Sequence, residues 1–345
     1  MIKVLVVDDS SFMRQIFKKT IEKEENIKVI ATAGDGVEAL QKIRKLEPDV
    51  ITLDVDMPVK NGLDTLKEIM KEPKPVPTIM VSAVDSKLTV MKALELGAFD
   101  FIPKPDGSTD MSMNEIAKNL ILKINAAAHM KSRPALKINP ITPPYKNKIS
   151  KKDSGSKFPI LAIGTSSGGP KALKAIIPTL PVNFPAAILI VQHMPAGFTT
   201  SFANRLDQDS AITVKEAEQG DALEPGKALL APGDYHMRVN DQGKITLDQT
   251  APKWSVRPCV DHMMKSAAEN YSDRVIGIIL TGMGVDGAQG MKAVKDNGGY
   301  GIVEDESTAL VYGMPSAAIR ANAFDEIVPL HQIPFKIIDL IERRF

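Results

Sequence analysis

The sequence predicts two doubly wound α/β domains with mainly parallel sheets, the second carrying an inserted β-hairpin, joined by a Pro/Lys-rich linker. Three observations carry this expectation. The 345 residues are enough to bury two separate cores. Short β-branched runs alternate with helix-period patterns in two successive series. Between the series lies a stretch without apolar periodicity that holds all of the chain's positive excess.

In residues 1–130 the strand-like runs are IKVLVVDD, KVIATAG, DVITLDVD, PTIMVSAV and AFDFIPKP. FMRQIFKKTIEK, GVEALQKIRKLE, GLDTLKEIMKE and LTVMKALELG separate them as helices, and NEIAKNLILKINAAAHM closes the set. Five β/α repeats of this length imply a parallel sheet covered on both faces. Residues 131–157, with four prolines and a Ser/Gly/Lys-rich end, read as a flexible linker. That linker is either a solvated tether or a basic strip that touches an acidic face. In residues 158–345 the strands are FPILAIG, AAILIVQHM, ALLAPG, RVIGIILTG and YGIVE. Their helices are KALKAIIPTL, FTTSFANRL, CVDHMMKSAAENY, GAQGMKAVKDNG and PSAAIRANAF. YHMRVNDQGKITLDQ alternates around an Asn-Asp-Gln-Gly turn and predicts the hairpin.

Composition narrows the function classes. Residues 1–130 carry net −2, residues 131–157 net +7 and residues 158–345 net −4, for a total of +1. This balance points away from nucleic-acid binding. The single cysteine, Cys259, excludes an internal disulfide and suits a reducing cytoplasm. No apolar stretch approaches the roughly 20 residues of a membrane span, and the chain enters a strand without a signal-peptide pattern. The expectation is a cytoplasmic monomer without membrane insertion.

In open α/β sheets functional groups gather at the carboxyl ends of the strands. Asp8 and Asp9 end the first strand, Asp54 the third, Ser82 the fourth and Lys104 the fifth. Carboxylates this close repel one another, and a hard cation such as Mg²⁺ relieves them. In that setting an aspartate can attack phosphorus, with Mg²⁺ and Lys104 offsetting the transferred charge. VVDDS, LDVDMPVKNGLD, VSA and FDFIPKP resemble the response-regulator receiver family over residues 1 to about 125. The resemblance implies Asp54 as phosphoacceptor, Asp9 and Asp54 as metal ligands with the Asp56 backbone carbonyl, and Asp8 in support. It also implies Ser82 as switch hydroxyl and Phe101 as switch aromatic, with a sensor histidine kinase as phosphodonor.

The second series opens on the turn Gly164-Thr165-Ser166-Ser167-Gly168-Gly169-Pro170. It lacks the spacing of a dinucleotide fingerprint or P-loop, although a small hydroxyl-rich turn before a helix can still bind an anion. It also matches Gly-x-Ser-x-Gly, a strand-to-helix elbow that exposes a serine. Among the five histidines only His193 follows a strong parallel strand, on the same rim as Ser166. Asp286, after RVIGIILTGMGV, is either a helix cap or the carboxylate that orients an imidazole. Backbone N–H groups of residues 281–284 can face an oxyanion.

GTSSGGP, VQHMPAGFTTSFANRL and ILTGMGVDGAQGM together resemble the catalytic domain of the chemotaxis receptor methylesterases, from about 158 to 345. The resemblance implies a Ser166–His193–Asp286 triad, with an oxyanion held by the Met283 N–H and the turn near Thr165. Methyl-accepting chemoreceptors would be the substrate, through glutamate methyl esters and glutamine amides. No cofactor is expected for that chemistry. Arg257 is a possible substrate contact, and an unphosphorylated receiver is expected to occlude the Ser166 rim. Two rival readings make the second domain a DNA-binding output module or a non-catalytic phosphosugar-binding module.

Overall fold

The computed structural model describes residues 1–83, 86–104, 113–130 and 158–345. The linker expected at 131–157 lies outside the described residues. The chain divides into two compact units, Met1–Ala135 and Leu136–Phe345. No helix among the described residues is long and apolar enough to cross a membrane.

In the first unit β1 (Ile2–Val7), α1 (Ser11–Ile21), β2 (Ile27–Ala33), α2 (Gly36–Leu46) and β3 (Val50–Asp54) are followed by α3 (Gly62–Ile69). Then come β4 (Thr78–Ser82), α4 (Lys87–Leu96), β5 (Asp100–Pro103) and α5 (Met113–Met130). The strands form one parallel sheet in the order β2-β1-β3-β4-β5. Every residue of β3, β4 and β5 is buried, so these strands are covered on both faces and show no apolar–polar alternation. Polar caps start the helices: Asp35 accepts from Val37 N and Glu38 N before α2, and Asn61 accepts from Asp64 N before α3. Strand order reverses at β1, so the carboxyl ends of β1 and β3 flank the crevice where such sheets bind ligands.

The second unit contains β6 (Ile160–Thr165), α6 (Gly169–Ile176), β7 (Ala187–Gln192), α7 (Phe198–Asp209), β8 (Thr213–Glu216) and β9 (Lys227–Leu230). A hairpin, β10 (His236–Val239) with β11 (Ile245–Asp248), leads to α8 (Val260–Tyr271) and β12 (Val275–Ile279). α9 (Ala288–Asp296), β13 (Tyr300–Glu304), α10 (Gly313–Arg320), β14 (Glu326–Val328) and α11 (Ile333–Arg344) complete it. Seven strands form a sheet in the order β14-β13-β12-β6-β7-β9-β8, parallel throughout. The sequence reading contained five of these seven. The missing pair, β8 and β14, are the edge strands: short and partly exposed, they carry neither a buried apolar run nor a long alternation. The hairpin stays outside that sheet and pairs antiparallel, His236 opposite Asp248.

Strand order again reverses at β6, which places the ends of β6, β7 and β12 side by side. Helix α8 lies so close to β6 that a Cβ on Gly164 would stand 2.3 Å from Val260 Cγ1. Gly164→Ala is therefore expected to lower stability by about 1–3 kcal/mol, read as a lower urea midpoint. An unchanged midpoint would mean that α8 moves off β6 freely.

Candidate functional site

In the first unit the rim residues converge. Asp54 is buried, and its Oδ2 accepts a hydrogen bond from Lys104 Nζ at 2.7 Å. The same ammonium lies 3.0 Å from Asp8 Oδ2, while Asp8 Oδ1 accepts from Ser10 N. Carboxylate oxygens of Asp8, Asp9 and Asp54 all lie within 4.8 Å of one another, with Asp9 exposed. Burial pushes the Asp54 carboxyl up to about 6; Lys104 opposes that rise and Asp8 adds to it. Burial works against the Lys104 charge as well, but bonding to Asp54 and the fields of both carboxylates hold the ammonium above its usual range. A pocket with surplus negative charge and hard oxygen donors is chemically suited to a small divalent cation.

The remaining first-unit residues occupy this rim or its flank. Ser82 is fully buried, and its hydroxyl donates to Ala83 O at 2.8 Å. Phe101 is buried on β5 with Lys123 Nζ 5.6 Å from its ring centroid. The Asp56 side chain is exposed and accepts from Ser86 Oγ, and its N–H points to Asp54 Oδ1 at 3.3 Å. Arg14, unnoticed in the sequence, donates to Asp8 O at 2.7 Å and Asp9 O at 2.9 Å. It steadies the loop that offers these carboxylates. Its signal, a single basic residue in the first turns of a helix, is too common to read.

In the second unit Gly168, at φ 81°, makes the turn from β6 into α6 and leaves Ser166 half-buried. The Ser166 hydroxyl makes no hydrogen bond among the described residues; its backbone is held by Ser166 N to Thr281 O at 3.1 Å and by Gln192 Nε2 to Ser166 O at 2.9 Å. Gln192 Nε2 also reaches His193 O at 3.2 Å, so one amide ties the serine turn to the histidine. A Cβ on Gly282 would lie 2.9 Å from Ser166 Cβ, so glycine there lets the 281–284 turn abut the serine. The Met283 N–H makes no hydrogen bond among the described residues.

His193 Nε2 lies 2.8 Å from Asp286 Oδ2. Asp286 is buried and also accepts from Val260 N at 2.7 Å, Asp261 N at 3.0 Å, Gly287 N at 2.8 Å and Cys259 Sγ at 3.0 Å. It thus closes the amino terminus of α8, a neighbouring helix, while facing the imidazole. Burial pushes its carboxyl up, but His193, Cys259 and the backbone donors outweigh this and bring it down to about 2. An ionised carboxylate only accepts, so His193 Nε2 carries a hydrogen towards it, and in the neutral imidazole tautomer with that hydrogen the lone pair is on Nδ1. Asp261 returns the arrangement by accepting from Gly287 N and Gly290 N at the start of α9. Burial and Asp286 push the Cys259 thiol far up, so it is a hydrogen-bond donor rather than a nucleophile.

Two further residues brace the frame of the site. Thr165 is fully buried and gives its hydroxyl hydrogen to Thr281 O at 2.7 Å, so its side chain braces the turn. Arg257 pairs with Asp234 and donates to Gln249 O at 2.8 Å and Thr250 O at 3.0 Å. Its guanidinium ties the strap before α8 to the residues flanking the hairpin.

Comparison with known proteins follows the same division. Residues 161–337 match the family described as CheB methylesterase, and residues 4–114 match the response regulator receiver domain. The chain is 47% identical to a protein-glutamate methylesterase/protein-glutamine glutaminase of Pyrococcus abyssi, over 99% of this chain and 94% of that one. It is 44% identical to the protein of that name from Thermotoga maritima, over 99% and 98%. The crystal structure of the Thermotoga maritima CheB methylesterase catalytic domain superposes with a TM-score of 0.52 at 48% identity, covering 53% of this chain and 99% of that domain.

Proposed function

The chain belongs to the CheB methylesterase family and carries a response regulator receiver domain, and from that premise we propose a phosphorylation-activated hydrolase acting on chemoreceptor glutamate methyl esters and glutamine amides through Ser166, His193 and Asp286. The observation that carries the reading is the 2.8 Å His193–Asp286 pair, tied through Gln192 to the backbone of a serine against which the Gly282 turn closes. His193 Nδ1 takes the Ser166 proton as Oγ attacks the ester carbonyl. The Met283 N–H receives the developing oxyanion. Collapse breaks the ester C–O bond, and the departing methoxide takes the proton from His193 to leave as methanol. Water, deprotonated by His193, then cleaves the acyl-enzyme and frees the glutamate. On an amide the same sequence releases ammonia.

In the receiver, an Asp54 carboxylate oxygen attacks the phosphorus of a donor and forms an aspartyl phosphate as the P–N bond of a sensor-kinase phosphohistidine, or the P–O bond of a small acyl phosphate, breaks and the imidazole or carboxylate leaves. Asp9, Asp54 and the Asp56 carbonyl would hold Mg²⁺, with Asp8 in support, and the ion supplies positive charge against the phosphoryl oxygens. Lys104 keeps its ammonium on the same group, and Ser82 and Phe101 transmit the change. The test is methanol release from a methylated chemoreceptor cytoplasmic fragment, with and without Mg²⁺ and a small phosphodonor. The intact chain is expected to accelerate with donor, whereas Asp54→Ala keeps basal release and shows no response. Folded protein that releases no methanol under any condition would sink the esterase reading. A donor response that survives Asp54→Ala would sink the phosphoacceptor assignment.

A further inference from the structure

Behind the serine turn lies a buried carboxyl group that the chemistry above does not use. Glu304 ends β13 at 0% exposure, and its Oε2 accepts the Thr281 N–H at 2.7 Å. Thr281 is the crossing point of the site. Its carbonyl receives Ser166 N at 3.1 Å and Thr165 Oγ1 at 2.7 Å. Its hydroxyl donates to Ser167 O at 2.9 Å and accepts Val311 N at 2.9 Å. The next residue, Gly282, abuts Ser166, and Met283 follows. Only one of the groups anchoring Thr281, the Glu304 carboxyl, can change its charge.

We propose that Glu304 is a positioning residue that, through Thr281, holds the Ser166 turn and the Met283 turn in register, and that it does so in its neutral form. The proposal rests on the reading of Ser166 as nucleophile. Its geometry has a specific logic. Among the described residues Oε1 is buried without a hydrogen bond of good geometry; the nearby Thr308 hydroxyl donates to Asp305 O at 3.3 Å and accepts from Leu330 N at 2.9 Å. No cation pairs with the carboxyl among the described residues. Facing it are the Thr281 N–H from the end of β12, Val328 from β14, and Asp305 and Thr308 from the following turn; of these only Asp305 carries charge. Burial is the main influence; the Thr281 N–H and the nearby Thr308 hydroxyl oppose it, Asp305 adds to it, and together they push the carboxyl up to about 7. In the neutral form Oε2 still accepts from Thr281, and Oε1 gains a hydrogen it can offer to the Thr308 hydroxyl. In the ionised form an unpaired charge sits behind the turn that must face an oxyanion, which opposes the transition state.

The test is the rate at which a fluorophosphonate labels Ser166 in the full-length protein, followed by mass spectrometry from pH 5.5 to 9 and expressed as variant over wild type. Dividing by wild type cancels the pH dependence that both proteins share. Glu304→Gln keeps an acceptor for Thr281 and cannot ionise. Its ratio is expected near one at pH 6 and rising several-fold above pH 7. Glu304→Leu removes the acceptor, and its ratio should fall on the order of tenfold at every pH. A flat Glu304→Gln ratio, or wild-type labelling of Glu304→Leu, overturns the proposal. Amide hydrogen exchange gives a readout free of chemistry: Thr281 and Ser166 should exchange faster in Glu304→Leu and as in wild type in Glu304→Gln. If wild-type Ser166 takes no label while those exchange rates still follow the residue at 304, the esterase reading fails and the clamp stands. Unchanged exchange in Glu304→Leu removes the clamp, whatever the labelling shows.

Discussion

Ser166→Ala is expected to abolish methanol release, with kcat lower by on the order of 10⁶-fold as in other serine-triad enzymes, and to leave the fold unaltered. The two halves of this expectation have separate causes. Activity is lost because the next hydroxyl in the chain, Ser167, is 4% exposed and lies inside the turn, where it cannot replace the nucleophile. Stability is kept because the Ser166 hydroxyl has no hydrogen-bond partner among the described residues, so its removal orphans nothing. The bonds that fix position 166 run through its backbone to Thr281 and Gln192, and alanine retains them. Thermal unfolding should therefore coincide with wild type within about 2 °C. A variant that still releases methanol would move the nucleophile elsewhere. A variant that unfolds early would leave the lost activity without a chemical interpretation.

Much of both sites was legible because the sequence places chemically distinctive residues at the ends of strong strands. Asp54, Lys104, Ser166 and His193 each follow an apolar run that could only be a buried strand, and parallel topology puts such ends on one rim. Asp286 was legible as a carboxylate near that rim, with its capping role left open. The structure joins the two alternatives, since one side chain closes the start of α8 and holds His193. That double use is a tertiary fact, because α8 begins 26 residues before Asp286 and no local spacing links them. Cys259 and Asp261 escaped for the same reason: their partners come from a packed helix pair, not from a motif. Glu304 escaped differently. A carboxylate at the end of YGIVE reads as the first solvated residue after a strand, and only the closure of β14 and the 305–311 turn over it makes it buried. The partners of Arg257, Asp234 and two carbonyls, were equally beyond local spacing, since they flank a hairpin that ends before it.

Asp286→Asn is expected to combine a large loss of activity with a measurable, pH-dependent loss of stability. The substitution preserves shape and changes only what the side chain can accept. In the native protein every polar group that meets Asp286 is a donor: three backbone N–H groups, the Cys259 thiol and His193 Nε2. An asparagine must turn its own NH₂ towards one of them. Facing His193, that NH₂ would draw the lone pair to Nε2 and put the hydrogen on Nδ1, the nitrogen proposed to take the Ser166 proton. The corresponding tautomer error in a serine protease lowers kcat about 10⁴-fold, and a similar fall is expected here. Facing α8 instead, it would leave a buried N–H unpaired. The stability change follows from linkage. The Asp286 carboxyl is held down at about 2 against an ordinary 3.8, so its stabilisation is fully present above pH ~4 and fades as pH falls through the folded value, amounting to about 2 kcal/mol at neutral pH. Urea midpoints of wild type and Asp286→Asn should differ clearly at pH 7 and draw together between pH 4 and pH 2. A gap that persists unchanged at pH 2 would assign the loss to altered packing, and a kcat within tenfold of wild type would remove Asp286 from the triad.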